Sequence, residues 1–159
     1  MEEHKHIFRE NVIPEVPDLA IYIPNFITQE EEDEITKYVN NAPLPKWTQL
    51  THRRLQNWGG IPHPRGMIAE EIPSQHQPNL EFSFLLERRS LFILQGDLYH
   101  NYLHSIAERD TDVVSKSVIK NLSICGDKFS EGEILKRGTR LSLTIRHVPK
   151  TSKLKLKIG

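Results

Sequence analysis

One nine-residue stretch near the end of the chain, RLSLTIRHV from Arg140 to Val148, limits what this sequence can fold into more than any other. Successive side chains of a strand point to opposite faces. Leu141, Leu143 and Ile145 therefore share one side, and Arg140, Ser142, Thr144 and Arg146 the other. Such a segment cannot stand alone: its backbone needs a neighbouring strand and its apolar row needs a covering layer. Pro149 closes it. The pattern predicts a sheet-containing domain. Leu, Ile, Val and Phe supply 46 of 159 residues, enough for one core of ordinary size.

The remaining pieces are read from period and punctuation. Residues 1–19 are charged and broken by Pro14 and Pro17, and read as a loose leader. AIYIPNF, Ala20 to Phe26, is a short strand ended by Pro24. Thr28 followed three residues later by Glu31 is a capping box. It opens a helix whose buried face would hold Ile35, Tyr38 and Val39 and which stops near Asn40–Asn41. Residues 43–78 hold six of the ten prolines and read as a long loop or hairpin region anchored by Trp47 and Trp58. EFSFLLE and SLFILQG, between Glu81 and Gly96, are strand candidates, with Phe82 and Phe84 on one face. Asp97 to Ile106 fits a strand or a helical turn with Leu98, Tyr102 and Ile106 in register; we favour the strand. Residues 107–132 read as a polar loop with a weak element at VIKNLSI. The tail KLKLKI places Lys153, Lys155 and Lys157 on one side, as in a protected edge strand or a free basic tail.

No apolar run approaches the ~20 residues of a membrane-spanning helix, and MEEHKHIFRE lacks the apolar centre of a secretory signal. No membrane association is expected. The single cysteine, Cys125, allows no internal disulfide and no Cys₂ or Cys₄ zinc site, which suits a reducing compartment, nucleus or cytoplasm. The chain is neutral overall, yet its charge is segregated. Residues 1–34 carry −8, 35–69 carry +5, 70–112 carry −5 and 113–159 carry +8. The basic zones could attract a polyanion locally, or they could be ordinary solvated surface.

Two constellations could carry chemistry. Arg140 and Arg146 share one face of the strand pattern with Ser142 and Thr144. Lining a barrel, they would need anions, and a small dicarboxylate suits the guanidinium fork. Facing water, they would need none. His104 and His100 are four residues apart. On a helix they could share a metal. On the favoured strand they would sit ~13 Å apart and could not.

The order of these pieces is specific. A strand ending at Gly96 leads to an aromatic-rich segment closing in His104-Ser105-Ile106, then to Arg137-Gly138-Thr139-Arg140-Leu141-Ser142-Leu143-Thr144-Ile145-Arg146. This resembles the C-terminal half of the AlkB family of Fe(II)- and 2-oxoglutarate-dependent dioxygenases. That family's closing motif is R-x-N-x-T-x-R, with Ser142 here at the Asn position. YIPNFITQEEE and the stretch PKWTQLTHRRLQNWGGIPHPRGM, 45–67, are similar to the family too. The resemblance covers roughly residues 20–72 and 84–149. It implies a mainly β fold with a few helices (α+β), the double-stranded β-helix or jelly roll. It also implies Fe(II) held by an H-x-D pair and a distal His, a site that leaves positions for 2-oxoglutarate and dioxygen. His104 matches the distal ligand, Arg140 the residue for the far carboxylate of 2-oxoglutarate, and Arg146 a cosubstrate contact near the metal. The implied activity is oxidative dealkylation of nucleic acid, or of protein.

The sequence departs from the family at its centre. None of the eight histidines has Asp or Glu two residues later. The segment that should carry H-x-D is missing near residues 73–82, as an internal deletion (a truncated isoform or gene-model error) would leave it. The expectation is therefore an incomplete jelly roll over 20–149, with a leader at 1–19 and a basic tail at 150–159. One imidazole does not hold Fe(II) usefully, so the chain is expected to be inactive. The basic zone keeps Lys46, Trp47, Arg53, Arg54, Trp58 and Arg65 close in sequence with no acidic residue among them. Cations interleaved with aromatics suit an unpaired or flipped base. A non-catalytic module binding nucleic acid or a partner is the alternative function.

Overall fold

The computed structural model describes residues 2–16, 18–51, 53–56, 82–102 and 104–145. Helix α1 (Glu2–Glu10) leads into β1 (Ala20–Ile23), which pairs antiparallel with β4 (Leu91–Leu94), Ala20 opposite Leu94 and Ile23 opposite Leu91. All four β1 residues are buried. On the other edge of β1, Val12 bridges Ile21, the Ile13 N–H donates to the Ala20 carbonyl, and the Tyr22 N–H donates to the Asn11 carbonyl. The stretch expected as a loose leader thus carries a helix and buries Ile13 in the core. Pro14 and Pro17 lie beyond α1, where they cost it nothing.

Helix α2 (Gln29–Asn40) begins as its sequence dictates. The Thr28 hydroxyl accepts from the Glu31 N–H and the Glu31 carboxylate accepts from the Thr28 N–H, which satisfies two otherwise orphaned donors. Asn41 closes it. Of the face expected to be buried, Val39 is buried, Ile35 half-buried and Tyr38 exposed. The Arg88–Arg89 turn before β4 fastens the start of α2: Arg88 grips Glu32 through two bonds of 3.0 and 2.9 Å, while Arg89 reaches Gln29 and Asn25.

The core gathers around β1. Tyr22, Ile13, Leu98 and Cys125 are its centre, with Phe84 and Phe92 packed against it 4.6 Å apart. Phe82 and Phe84, expected on one face, meet edge to face at 5.6 Å. Asn121 is fully buried and satisfied: its Oδ1 accepts from the Leu85 N–H at 2.8 Å and its Nδ2 donates to the Leu85 carbonyl at 2.7 Å.

Three expectations are corrected. The segment after Gly96, favoured as a strand, forms helix α3 (Gly96–His100). Its entry is set by contact: the Asp18 carboxylate accepts from the Asp97 N–H at 2.7 Å, and a Cβ at Gly96 would lie 1.3 Å from that oxygen. Gly96 also sits at φ +57°, where a side chain is strained. Residues 107–132, expected as a polar loop with a weak element at VIKNLSI, do carry an element there, helix α4 (Leu122–Cys125), but also hold β5 (Thr111–Val113) and buried Val114, Ile119, Asn121 and Cys125. β5 pairs with β6 (Ile134–Lys136), clamped by a two-pronged Arg137–Asp112 bond. Third, residues 140–145 form no strand, although their alternation is the cleanest in the sequence. Leu141, Leu143 and Ile145 are 47%, 58% and 91% exposed. A period-2 pattern becomes a strand only where another backbone offers hydrogen bonds, and residues 138–145 make no backbone bond to a described residue. The KLKLKI tail lies outside the described residues.

The architecture is mixed helix and strand. Its described sheets are three two-stranded pairs: β1–β4, β5–β6, and a hairpin of β2 (Trp47–Gln49) and β3 (Arg54–Gln56). Among the described residues no closed jelly-roll barrel is present. No described helix is long and apolar enough to cross a membrane.

Candidate functional site

The basic zone forms a defined element. A 3-10 turn over Leu44–Lys46 delivers exposed Lys46, and the chain enters the hairpin with Trp47 opposite Gln56 and Gln49 opposite Arg54. The Leu50 N–H donates to the Arg53 carbonyl at 2.8 Å, which closes the hairpin end and leaves Arg53 exposed there. Directly opposed and diagonal neighbours on one face of a hairpin can touch. Accordingly the Arg54 guanidinium lies 4.0 Å from the centre of the Trp47 ring. That is a cation–π contact, in which the ring quadrupole attracts the cation.

Two residues that sequence reasoning missed hold this hairpin in place. Arg54 Nη2 donates to Asn40 Oδ1 at 3.3 Å, and Gln56 Nε2 donates to the Val39 carbonyl at 2.9 Å. Val39 and Asn40 form the last turn of α2, whose carbonyls have no partner within the helix. Gln56 caps one of them. Its only signal in the sequence is its register opposite Trp47, and that register is invisible until the turn is known. Lys46, Trp47, Arg53 and Arg54 are thus brought together on one small element. Trp58 and Arg65 lie outside the described residues.

The residues matched to iron and cosubstrate are arranged differently. His104 is exposed and its Nε2 lies 2.7 Å from the Leu98 carbonyl in α3. A carbonyl only accepts, so Nε2 is the donor in this bond. His104 therefore caps the end of a short helix. His100 ends that helix, exposed. Arg140 is exposed and makes no ion pair with a described residue. Arg146 lies outside the described residues.

The titratable groups that do converge inside the molecule belong to the core. The Tyr22 hydroxyl accepts from the Glu87 N–H at 3.0 Å and donates to Glu87 Oε2 at 3.2 Å, while Lys128 pairs with Glu87 Oε1 at 3.1 Å. Burial pushes the Tyr22 hydroxyl up to about 12 and the Cys125 thiol up to about 11. A thiol so raised is protonated and unreactive at neutral pH.

No family model matches the chain. It is 33% identical over 221 aligned positions to the probable RNA/DNA demethylase ALKBH6 of Danio rerio, an alignment that spans 93% of each protein. The chain belongs to the AlkB family. The 221 aligned positions exceed the 159 residues of the chain by 62, so at least 62 positions have no residue here. AlkB-family proteins are dioxygenases, oxidoreductases that use Fe(II) and 2-oxoglutarate. The described residues of this AlkB-family chain do not form a site for the metal. Among the described residues no three His, Cys, Asp or Glu side chains converge. The sequence contains no H-x-D or H-x-E. The matched histidine spends its Nε2 on a carbonyl.

Proposed function

We propose that this AlkB-family chain works without the family's iron chemistry, as a non-catalytic module that binds single-stranded nucleic acid through the β2–β3 hairpin. One observation carries the reading: the hairpin is formed and fastened to α2, with Arg54 laid on Trp47 and Lys46 and Arg53 exposed beside it. A flat guanidinium–indole pair with flanking cations offers stacking area to a base and charge to its phosphates. No acidic residue interrupts residues 35–69, so nothing in that stretch repels a polyanion. The relative's name, a probable RNA/DNA demethylase, supports the choice of nucleic acid.

Loss of the chemistry follows from the donor set. One imidazole is a monodentate ligand, and Fe(II) in the facial triad needs two more protein donors. We read the three two-stranded sheets as what remains of the family's jelly roll, a reading supported by the 62 or more aligned positions that have no residue here. The nucleus and cytoplasm are the compartments such a chain would occupy.

Fluorescence anisotropy of the full chain with labelled single-stranded RNA and DNA tests the binding. Affinity should fall steeply with salt, by a slope that reports several phosphate contacts, and should drop about tenfold on Trp47→Ala. No binding at ~50 mM salt would overturn the reading. Succinate formation from 2-oxoglutarate that is lost on His104→Ala would overturn the absence of turnover.

A further inference from the structure

The Arg54 guanidinium is held by two contacts of different kinds. Trp47 and Arg54 occupy diagonal positions on one face of the β2–β3 hairpin, with Gln56 directly opposite Trp47. The central carbon of the guanidinium lies 4.0 Å from the centre of the Trp47 ring, and Nη2 donates to Asn40 Oδ1 at 3.3 Å. A stack limits how far a planar group can tilt. A hydrogen bond at its edge limits how far it can turn. Together they favour one orientation of a side chain that otherwise samples many rotamers.

Asn40 is well placed for this. It is the last residue of α2, where Val39 is buried, and the start of the same helix is tied to Arg88 and Arg89. The Gln56 amide donates to the Val39 carbonyl at 2.9 Å, beside Asn40, which keeps the hairpin against the helix end. The partial negative charge at a helix C-terminus also favours a cation there. The chemistry of the holder matters as much as its place. A carboxylate at position 40 would pair with Arg54 and cancel its charge. The neutral amide orients the guanidinium and leaves that charge for a phosphate. No Asp or Glu occurs between residues 35 and 69 to cancel it otherwise.

Arg54 is exposed and Trp47 half-buried, so a base arriving from solvent meets the guanidinium first. A group already ordered binds more tightly than one that must be ordered on contact. We propose that Asn40 is a positioning residue for nucleic-acid binding. It presets Arg54 on Trp47 as a stacking plane for an unpaired base and spares the arginine's charge for the neighbouring phosphate. This rests on the nucleic-acid reading of the hairpin and adds to it a residue outside the hairpin.

Two measurements on the full chain test it: anisotropy with labelled single-stranded RNA, and the NMR signals of the Arg54 side chain, which the indole ring current shifts upfield. Asn40→Ala removes the acceptor. RNA affinity should fall about two- to tenfold with the salt slope unchanged. The Arg54 signals should move toward those of a free arginine. Inorganic polyphosphate, a polyanion without bases, should bind the parent and Asn40→Ala alike. Asn40→Asp keeps an acceptor of the same shape and adds a charge. It should keep the shifted Arg54 signals, yet weaken RNA binding and flatten the salt slope by ~0.7, one phosphate contact on a single strand. Asn40 is exposed, so Asn40→Ala should melt with the parent chain. RNA binding unchanged or strengthened in Asn40→Ala, Arg54 signals that do not move, an equal loss for polyphosphate, or an unchanged slope in Asn40→Asp would each overturn the proposal alone. No RNA binding by the parent chain would overturn the nucleic-acid reading beneath it as well.

Discussion

Two regions of this chain, one made of two paired stretches, carry the same kind of strand signal and meet opposite fates. AIYI, Ala20–Ile23, and LFIL, Leu91–Leu94, pair with each other and bury β1 completely. LSLTI, Leu141–Ile145, has a clearer alternation, yet it makes no backbone bond to a described residue and its apolar row is exposed. The difference lies in what surrounds them. β1 has β4 on one edge, residues 11–13 on the other, and Leu98 and Cys125 against it. The later segment has no described backbone beside it. Strand propensity is a statement about fit to a pleated, half-buried surface, and it has no effect where that surface is absent.

Substitutions should divide along this line. Tyr22→Ala removes the largest fully buried side chain and leaves the Glu87 N–H without its acceptor. It should cost about 3–5 kcal/mol in urea unfolding, enough to abolish a cooperative transition in a marginal chain. Asn121→Leu is next. It strands the half-buried N–H and carbonyl of Leu85 and should cost about 1–3 kcal/mol by the same assay.

Raising the pH reaches the same core. The Tyr22 hydroxyl and the Cys125 thiol both hold their protons more tightly when folded, with values of about 12 and 11. Between the unfolded and folded values the native state binds more protons, so stability falls as pH rises. It should be intact below about pH 8.5 and decline from there toward pH 11–12. Thermal melts across this range check it, and Tyr22→Phe should flatten the upper part of the curve. Thr28→Ala removes one half of the capping box and should cost about 1 kcal/mol. Smallest of all, Ile145→Ser should change the monomer by less than about 0.5 kcal/mol, because its side chain is 91% exposed. A large effect there would mean the segment is paired in solution, and the contrast with β1 would fail.

Much of the local structure was legible beforehand. The capping box at Thr28–Glu31 and the stop at Asn41 depend on neighbours a few residues away, which the sequence displays; the strands at Ala20 and Leu91 were legible as apolar segments, but not their pairing with each other. α3 was not, because the Asp97 N–H enters that helix on a bond it donates to the carboxylate of Asp18, 79 residues earlier. Asn121 was not, because a polar residue in a polar stretch gives no hint that both its amide atoms meet Leu85. In the candidate site, the basic and aromatic residues could be listed from the sequence. The Trp47–Arg54 stack, and the Asn40 and Gln56 contacts that fasten it, needed the register of the hairpin.

By itself, then, the sequence determined which segments can be helices or strands, which family the chain resembles, and that no H-x-D is available to hold iron. These are properties of composition and short spacing, and no fold can add a residue that is absent. Only the tertiary structure decided which strand pattern is used, where Ile13, Asn121 and Cys125 are buried, and that His104 donates to the Leu98 carbonyl. Those outcomes depend on which backbone and side-chain groups meet across long stretches of chain. Burial and hydrogen bonding stabilise a group only when its partner has arrived beside it.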